Sequence, residues 1–332
     1  MDRLNFSSSA LIVIRELSDT FKDVYPQSSS VLKEVCSLLE SSEKFILPPY
    51  GELLDRGTRR QEHMDLFHLP FPVTAFEYTV PTARNPNELK DISGLPQEVS
   101  TRRISLCWSH DASFQYEGFT KLLDRYPDGG VFFTSLYTQG DSHTWHCSDG
   151  FGFVAKDAAV SSLDSSTRGS HSGAYRFLLD AGRAKPNWKG VSWYARPLLP
   201  EFFSHRANIR GQADAFGDLQ LDLMDECGAM LDACIVLNCD NADTEIIPAP
   251  QKLNRKRATT GKPPLFDYRV LVLKPGSGQP PGDSHGGTHR SPRTHVRRAH
   301  LRRLKDRTVL VRSALVNPDN AKGYVSKDYE IR

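Results

Sequence analysis

Two histidines among arginines are the residues of this chain whose side chains could together do chemistry. His295 and His300 lie within residues 285–312, a segment that holds nine Lys or Arg residues, four histidines and a single acid. Metal-independent cleavage of RNA needs a base for the 2′-hydroxyl proton, an acid for the leaving 5′-oxygen and cations around the phosphorane. The segment therefore predicts a metal-independent ribonuclease in which His295 and His300 exchange protons, Arg298 stabilises charge, and no cofactor is needed.

The five-residue separation of these histidines argues against this interpretation. On a strand, residues five apart point to opposite faces, and on a helix they lie about 140° apart. His295 and His300 therefore meet at one phosphate only if the segment is irregular or if another group replaces one of them. The predicted last strand offers such groups: Tyr324, Lys327 and Tyr329.

The uneven charge of the chain predicts a polyanionic partner more directly than it predicts a reaction. Residues 1–251 carry 23 basic and 34 acidic side chains, whereas residues 252–332 carry 19 and 6. Guanidinium groups bind phosphate in forked geometry, and this contact needs no convergent histidines. We therefore expect binding to nucleic acid, with RNA preferred. The predicted nucleic-acid-binding residues are Arg255, Lys256, Arg257, Arg290, Arg293, Arg297, Arg298, Arg302, Arg303 and Lys305.

Other uses of the basic segment stay open. The chain could act by protein interaction, through its acidic body or its basic arm. The basic part could also dock on the acidic part of the same molecule or stay solvated, because the two parts carry opposite net charge. A zinc site built from the four histidines at 285, 289, 295 and 300 is disfavoured by the cations around them, and no metal is predicted.

The pattern along the chain predicts an α+β fold with two units. Residues 1–245 form an acidic body with N-terminal helices and an antiparallel, aromatic-rich sheet. Residues 246–332 form a small, mostly antiparallel basic unit that displays the His/Arg segment as a connection between strands. The predicted helices cover 10–23, 29–40 and 213–231.

Several shorter stretches have local predictions of their own. Prolines within residues 41–100 predict one or two edge strands. The polar residues 156–213 read as a loop, and the tryptophans within them as packing at a core edge rather than stacking on bases. The apolar run 233–237 reads as a buried strand, and single strands are predicted over 308–316 and 324–331.

Three aspartates share one face of the predicted helix over 213–231. Asp218, Asp222 and Asp225 stand at i, i+4 and i+7, which forms an acidic stripe. Such a stripe could hold a divalent cation for phosphodiester chemistry. A solvated face, or a dock for the basic tail, explains it with fewer assumptions.

Composition predicts a chain that folds around a large core in a reducing compartment. Its 332 residues are 39% hydrophobic, and the six cysteines form no CxxC pair, so we expect buried thiols. Neither an apolar run of about twenty residues nor a signal-peptide pattern is found, so we expect no membrane partner and a cytoplasmic location. The sequence does not predict an oligomeric state.

The C-terminal third resembles a group of uncharacterised proteins encoded by bacteriophages and related mobile elements. The motifs that carry the resemblance are Asn238–Asn241, Leu253–Arg257, Gly261–Leu265, Tyr268–Leu271, Ser291–Leu304, Gly323–Val325 and Lys327–Tyr329. Leu69–Thr74 and Phe76–Tyr78 are also similar to that group. The resemblance implies a role in a bacterial cytoplasm during infection or prophage carriage, and it implies no particular activity. If the chain acts by protein interaction, the resemblance implies that it inhibits a bacterial host or defence factor.

Overall fold

A computed structural model gives the fold of most of the chain. The described residues are 5–80, 102–112, 114–138, 144–162, 179–180, 185–273, 295–297, 299–311 and 314–316. They form two N-terminal helices, a large and mostly antiparallel sheet, and small antiparallel strand pairs near the C terminus. The predicted α+β class is confirmed.

Two helices begin the fold: α1 (Phe6–Phe21) and α2 (Pro26–Ser41). Leu11 and Ile14 on α1, and Leu32 and Val35 on α2, recur at three-residue spacing and are fully buried. Pro26 suits the first turn of α2, where no helical hydrogen bond requires its missing amide proton. The helices predicted over 10–23 and 29–40 are therefore confirmed, with shifted ends.

A nine-stranded sheet lies at the centre of the fold. Its strands are β1 (Glu43–Ile46), β2 (Val73–Thr79), β3 (Arg102–Ser109), β4 (Gly130–Thr138), β5 (Trp145–Cys147), β6 (Gly150–Ala155), β9 (Tyr194–Pro197), β10 (Ala242–Ile247) and β11 (Tyr268–Leu273). Their spatial order is β10-β11-β1-β2-β3-β4-β6-β9, and β5 also pairs with β4. Strand β1 runs parallel to β2 and β11, whereas the other pairs are antiparallel.

Strands β1 and β2 lie inside the sheet, so the edge strands predicted within residues 41–100 are wrong for residues 41–80, the part of this range that the structure describes. Pro48 and Pro49 follow β1, and Pro70 and Pro72 precede β2. No proline therefore removes an amide donor from either ladder, and both strands pair on both sides. The edges of the described sheet are β10 and β9.

Both faces of the sheet are covered. On β3, Ile104 and Leu106 belong to the core formed with α1 and α2, whereas Cys107 belongs to the core on the opposite face. This second core includes Leu219 and Leu223 of the long helix described next. The alternation of β3 side chains thus places Arg103 beneath that helix, where it takes part in a buried charge network.

Three further helices belong to the body: α3 (Glu117–Arg125), α4 (Pro200–Arg210) and α5 (Gln212–Leu237). The strand predicted over 233–237 is wrong, because α5 continues through Leu237. Ile235 and Val236 are fully buried within this last part of α5, and a short apolar run does not distinguish a buried helix from a strand. None of the described helices combines the length and apolar character needed to cross a bilayer.

The loop predicted over 156–213 is wrong for the part that the structure describes. Helix α4 and strand β9 lie there, together with the strand pair β7 (Val160–Ser162) and β8 (Lys189–Val191). Trp188 and Trp193 are each only 8% exposed, so both rings pack as predicted and neither is presented for stacking on bases.

The C-terminal region contains a helix, α6 (Gln251–Thr259), and four short strands, β12 (His295–Arg297), β13 (His300–Arg303), β14 (Thr308–Val311) and β15 (Ala314–Val316). Strand β12 pairs with β15, and β13 pairs with β14. The single strand predicted over 308–316 is therefore two strands, β14 and β15. The His/Arg segment, predicted as a connection between strands, contains strands β12 and β13. The strand predicted over 324–331 lies outside the described residues. Strand β11, which follows the predicted boundary at 245, lies between β10 and β1.

Candidate functional site

Residues 299–311, here called the basic hairpin, carry part of the His/Arg segment on strands β13 and β14. Leu301 lies directly opposite Leu310, and Arg302 lies opposite Val309. Because side chains alternate along a strand, Leu301 and Leu310 share one face, and His300 and Arg302 share the other. Both leucines pack against the body. His300 and Arg302 therefore lie on the outward face.

The inward face of the basic hairpin is fixed on the end of α5. Leu310 is 7% exposed and packs in one cluster with Leu54, Ile235 and Val236. The Asn241 amide donates to the Leu310 carbonyl at 3.0 Å, and the Leu310 amide donates to Asn241 Oδ1 at 2.9 Å. Apolar packing and backbone hydrogen bonds thus orient the hairpin, and these contacts do not use its cations.

The cations of the basic hairpin are exposed. Arg302, Lys305 and Arg307 form no ion pair with another residue of the described part of the chain. Arg303 lies 3.4 Å from Asp65, and their side chains are 56% and 72% exposed. A pair this exposed contributes at most about 1 kcal/mol and leaves Arg303 accessible.

The remaining predicted residues of the His/Arg segment divide into two groups. Arg290, Arg293 and Arg298 lie outside the described residues. His295 and Arg297 lie on β12, where the structure describes the backbone. The two candidate catalytic histidines thus occupy different strand pairs. His295 and His300 therefore do not lie on opposite faces of one continuous strand. The pairing of the strands does not bring the two histidines together either.

The predicted basic residues of α6 differ from one another in their surroundings. Arg255 and Lys256 are exposed. Arg257 instead donates from Nε to the Pro263 carbonyl and from Nη2 to Ser8 Oγ, both at 2.7 Å. The sequence grouped the three cations together, whereas Arg257 has a structural contact with α1.

The acidic stripe of α5 is turned into the body, so the predicted solvated face or dock for the basic tail is wrong. The side chains of Asp218, Asp222 and Asp225 are 9%, 16% and 22% exposed. The ion pairs are Asp218 with Arg210 (2.7 Å), Asp222 with Arg206 (3.5 Å) and Asp225 with Arg103 (3.6 Å). The arginines come from β3 and α4, and no spacing within α5 could have identified them.

A second buried network lies beside this stripe. Glu226 is fully buried and accepts from Arg103 Nη2 at 2.8 Å and from the Tyr78 hydroxyl at 3.1 Å. Burial raises the pKa of Tyr78, and the Glu226 carboxylate acts in the same direction. These partners fully occupy the carboxylate, so the network joins β2, β3 and α5 and is not available to a ligand.

Arg206 lies between two carboxylates. Its Nη2 is 3.2 Å from Asp149 Oδ1, and its Nη1 is 3.5 Å from Asp222 Oδ2. Burial raises the pKa of Asp222 to about 7; Arg206 opposes this shift and Asp149 adds to it. Burial likewise raises the pKa of Asp149. Burial and the neighbouring Asp149 carboxylate together outweigh Arg206, and this explains the raised pKa of Asp222.

Metal and thiol chemistry find little support in the described part of the chain. Its His, Cys, Asp and Glu side chains form no group that could hold a metal ion. All six cysteines are free thiols, five of them buried, which confirms the predicted burial. Burial raises the pKa of Cys227 and of Cys239 to about 12, so neither thiol is an activated nucleophile.

Comparison with known proteins adds no relative. No protein family, curated protein or solved structure matches the chain. The choice of site therefore depends on geometry. The carboxylates of α5 have cationic partners inside the fold, whereas the cations of the basic hairpin face outward.

Proposed function

We propose that the chain binds nucleic acid, with RNA preferred, through the outward face of the basic hairpin. The observation that supports this most is that Arg302 and Lys305 are exposed without acidic partners in the described residues. Binding of phosphates by such groups releases condensed counterions, which favours association. RNA is placed first because His300 shares the outward face with Arg302, and an imidazole can stack on the unpaired bases that RNA presents.

The contacts of the hairpin favour this proposal over docking of the basic part on the acidic body. If the basic hairpin were docked on the acidic body by its charges, its cations would lie against carboxylates of the body. The described attachment uses Leu310 and Asn241 instead, with Arg303 and Asp65 as an exposed pair at the side. The cations are therefore free to meet an external polyanion.

The proposal extends to the neighbouring cations and to the biological setting. The proposal includes Arg290, Arg293, Arg297 and Arg298 because these cations are close in the sequence to the basic hairpin. The setting proposed is a bacterial cytoplasm, with the chain encoded by a bacteriophage or mobile element. Inhibition of a bacterial host protein is the competing proposal for the same basic surface.

A metal-independent ribonuclease is the second candidate function. The observation in its favour is that His300 and Arg302 share one strand face, two residues and thus about 7 Å apart along the strand. An imidazole and a guanidinium at this separation can contact the same phosphodiester. His295 or a residue of the C-terminal segment would have to supply the second proton-transfer group.

One set of binding measurements separates these functions. Labelled RNA and DNA of the same sequence are titrated with the purified chain in EDTA at two salt concentrations. Binding alone predicts intact RNA and an affinity that falls steeply with salt. Degradation of RNA that His300→Gln abolishes, without loss of folding, would favour the ribonuclease. Absence of binding to both nucleic acids contradicts both functions and leaves interaction with a host protein.

A matched pair of variants then locates the surface. Arg302→Gln with Lys305→Gln, the hairpin double variant, removes two exposed cations of the basic hairpin. Lys33→Gln with Lys156→Gln removes two exposed cations elsewhere on the body. We expect the hairpin double variant to bind RNA roughly tenfold more weakly at about 0.15 M salt. Equal affinity of the two variants would contradict the assignment of the surface.

A further inference from the structure

Hydrogen bonds join helix α6 to the segment that follows it and to α1, and none of the α6 side chains is buried. Asn254 donates from Nδ2 to the Leu265 carbonyl, and the Leu265 amide donates back to Asn254 Oδ1, both at 2.8 Å. Arg257 donates to the Pro263 carbonyl and to Ser8 on α1. Positions 254 and 257 are three apart and therefore share the face of α6 that meets residues 263–265 and α1.

The opposite side of α6 carries Lys252, Arg255 and Lys256, here called the α6 stripe. These residues stand at i, i+3 and i+4, and all three are exposed. Helix α6 contains no acid, and none of the three cations pairs with another described residue. The α6 stripe is therefore a compact and accessible group of positive charge.

Of the α6 stripe, only Lys256 lies in the last turn of the helix, where the helix dipole favours a cation. Like charges at i, i+3 and i, i+4 repel one another. Lys252 also lies in the first turn, where the helix dipole favours anions. Mutual repulsion within the stripe, and the lack of an ion pair with any described residue, favour an anionic partner outside the chain.

The α6 stripe and the basic hairpin lie in different layers of the fold. Arg257 attaches α6 to Ser8 of α1, on one face of the sheet. The hairpin packs on Ile235 and Val236 of α5, on the other face. They also lie at opposite ends of edge strand β10, because Asn241 contacts the hairpin just before β10 and α6 follows it. Six residues of strand span about 20 Å.

We propose that the α6 stripe is a second contact surface for the phosphodiester backbone of RNA, separate from the basic hairpin. This inference rests on the proposed function, because it assumes that RNA is the polyanion bound. Charge complementarity selects phosphodiesters, since the stripe presents three cations and no acid of its own helix. Because the two surfaces are far apart, a short oligonucleotide can bind to only one of them at a time. A long RNA that passes around the β10 edge can bind to both.

Bivalent binding has a characteristic dependence on RNA length. A short oligonucleotide occupies one surface at a time, so the chain binds two copies of it. A long RNA that reaches both surfaces binds the second one at a high effective concentration, which raises its affinity. Removal of either surface should therefore affect long RNA more than short RNA.

The experiment uses the full chain and oligouridylates of about 6 and about 30 nucleotides. Lys252→Gln, Arg255→Gln and Lys256→Gln together form the α6 triple variant. The matched control replaces Lys33, Lys121 and Lys156, three exposed lysines of the body, by Gln. Thermal unfolding checks that each variant is folded. Stoichiometry with the short probe and affinity with the long probe are then measured.

We expect the wild-type chain to bind two short probes, and the α6 triple variant and the hairpin double variant one each. The long probe should bind the α6 triple variant at least about tenfold more weakly than the matched control. If the α6 triple variant equals its control while the hairpin double variant loses affinity, this inference is wrong and the proposed function stands. If neither variant differs from its control, both proposals fail. Binding of the α6 stripe to an acidic protein but not to RNA would also overturn the inference.

Discussion

The aspartates of α5 and the cations of the basic hairpin look alike in the sequence but have opposite surroundings in the fold. Asp218, Asp222 and Asp225 point inward, and each meets an arginine. Arg302 and Lys305 point outward, and the hairpin is held by Leu310 rather than by its charges. The first group stabilises the contact between α5, α4 and the sheet, whereas the second is free for a partner.

This difference shows that the role of a charged stripe, structural or in binding, follows from the partners of its side chains and not from their spacing in the sequence. The helical spacing predicts that the α5 aspartates share a face but not that they are buried, because their arginine partners belong to β3 and α4. A cation on a surface is worth little to stability. The same cation can contribute strongly to binding a polyanion.

The largest expected effect in this comparison concerns the buried side. Glu226→Ala leaves the Arg103 guanidinium buried without its bidentate partner, so we expect a loss of about 3–5 kcal/mol in the free energy of unfolding. Asp225→Asn is the control, because Asp225 is partly exposed and lies 3.6 Å from Arg103. Denaturant unfolding measures both variants. A similar small loss of unfolding free energy in both variants would show that the buried network around Glu226 contributes little to stability.

A smaller effect depends on pH. The pKa of Asp222 rises from its ordinary value of 3.8 to about 7 in the fold, mainly through burial. The folded state therefore binds the proton more tightly than the unfolded chain. This contribution to stability is fully present below about pH 4 and is lost as pH rises through about 7. Charged and titratable groups around Asp222 are Arg206, Asp149, Arg103, Asp218 and Tyr137.

Asp222→Asn tests this pH dependence. Between about pH 4 and pH 7, the wild-type chain should lose stability relative to the variant by on the order of 1–3 kcal/mol. Above pH 7 the difference should be constant. The measurement is a series of denaturant unfolding curves at intervals of pH. A difference between the two chains that does not change with pH would show that Asp222 is ionised throughout.

The smallest expected effect is the difference in stability between variants of two cations on α6, Arg257 and Arg255. Arg257→Gln removes the hydrogen bonds to Pro263 and Ser8, so we expect a loss of about 1 kcal/mol in unfolding free energy. Arg255→Gln should change stability by less than about 0.5 kcal/mol. Thermal unfolding compares the two. Equal stability would mean that Arg257 does not hold α6 on the body.

Local patterns in the sequence were sufficient for part of the fold. The apolar spacing of α1 and α2 predicts both helices, and the alternating aromatic and β-branched residues of the body predict its antiparallel sheet. The run 233–237 was misassigned because an apolar segment buried on all sides has no period that distinguishes helix from strand. The prolines within residues 41–100 predict edge strands, but those near β1 and β2 flank these strands and leave their ladders intact.

The sequence predicts which residues make up the candidate site, but not how the fold arranges their side chains. The density of cations in residues 285–312 identified a basic surface. Which cations face outward depends on the register of β13 with β14 and on the packing of Leu310 against α5. These long-range contacts have no local signature. For the same reason, the sequence did not separate Arg257 from Arg255.

The central claim is that the outward cations of the basic hairpin bind phosphates. Its most direct test is the slope of the logarithm of RNA affinity against the logarithm of salt concentration, for the hairpin double variant and for Lys33→Gln with Lys156→Gln. Loss of two phosphate contacts should reduce the slope of the hairpin double variant by about 1.4 on single-stranded RNA. The control should keep the wild-type slope. Identical slopes for the two variants and the wild-type chain would contradict the claim.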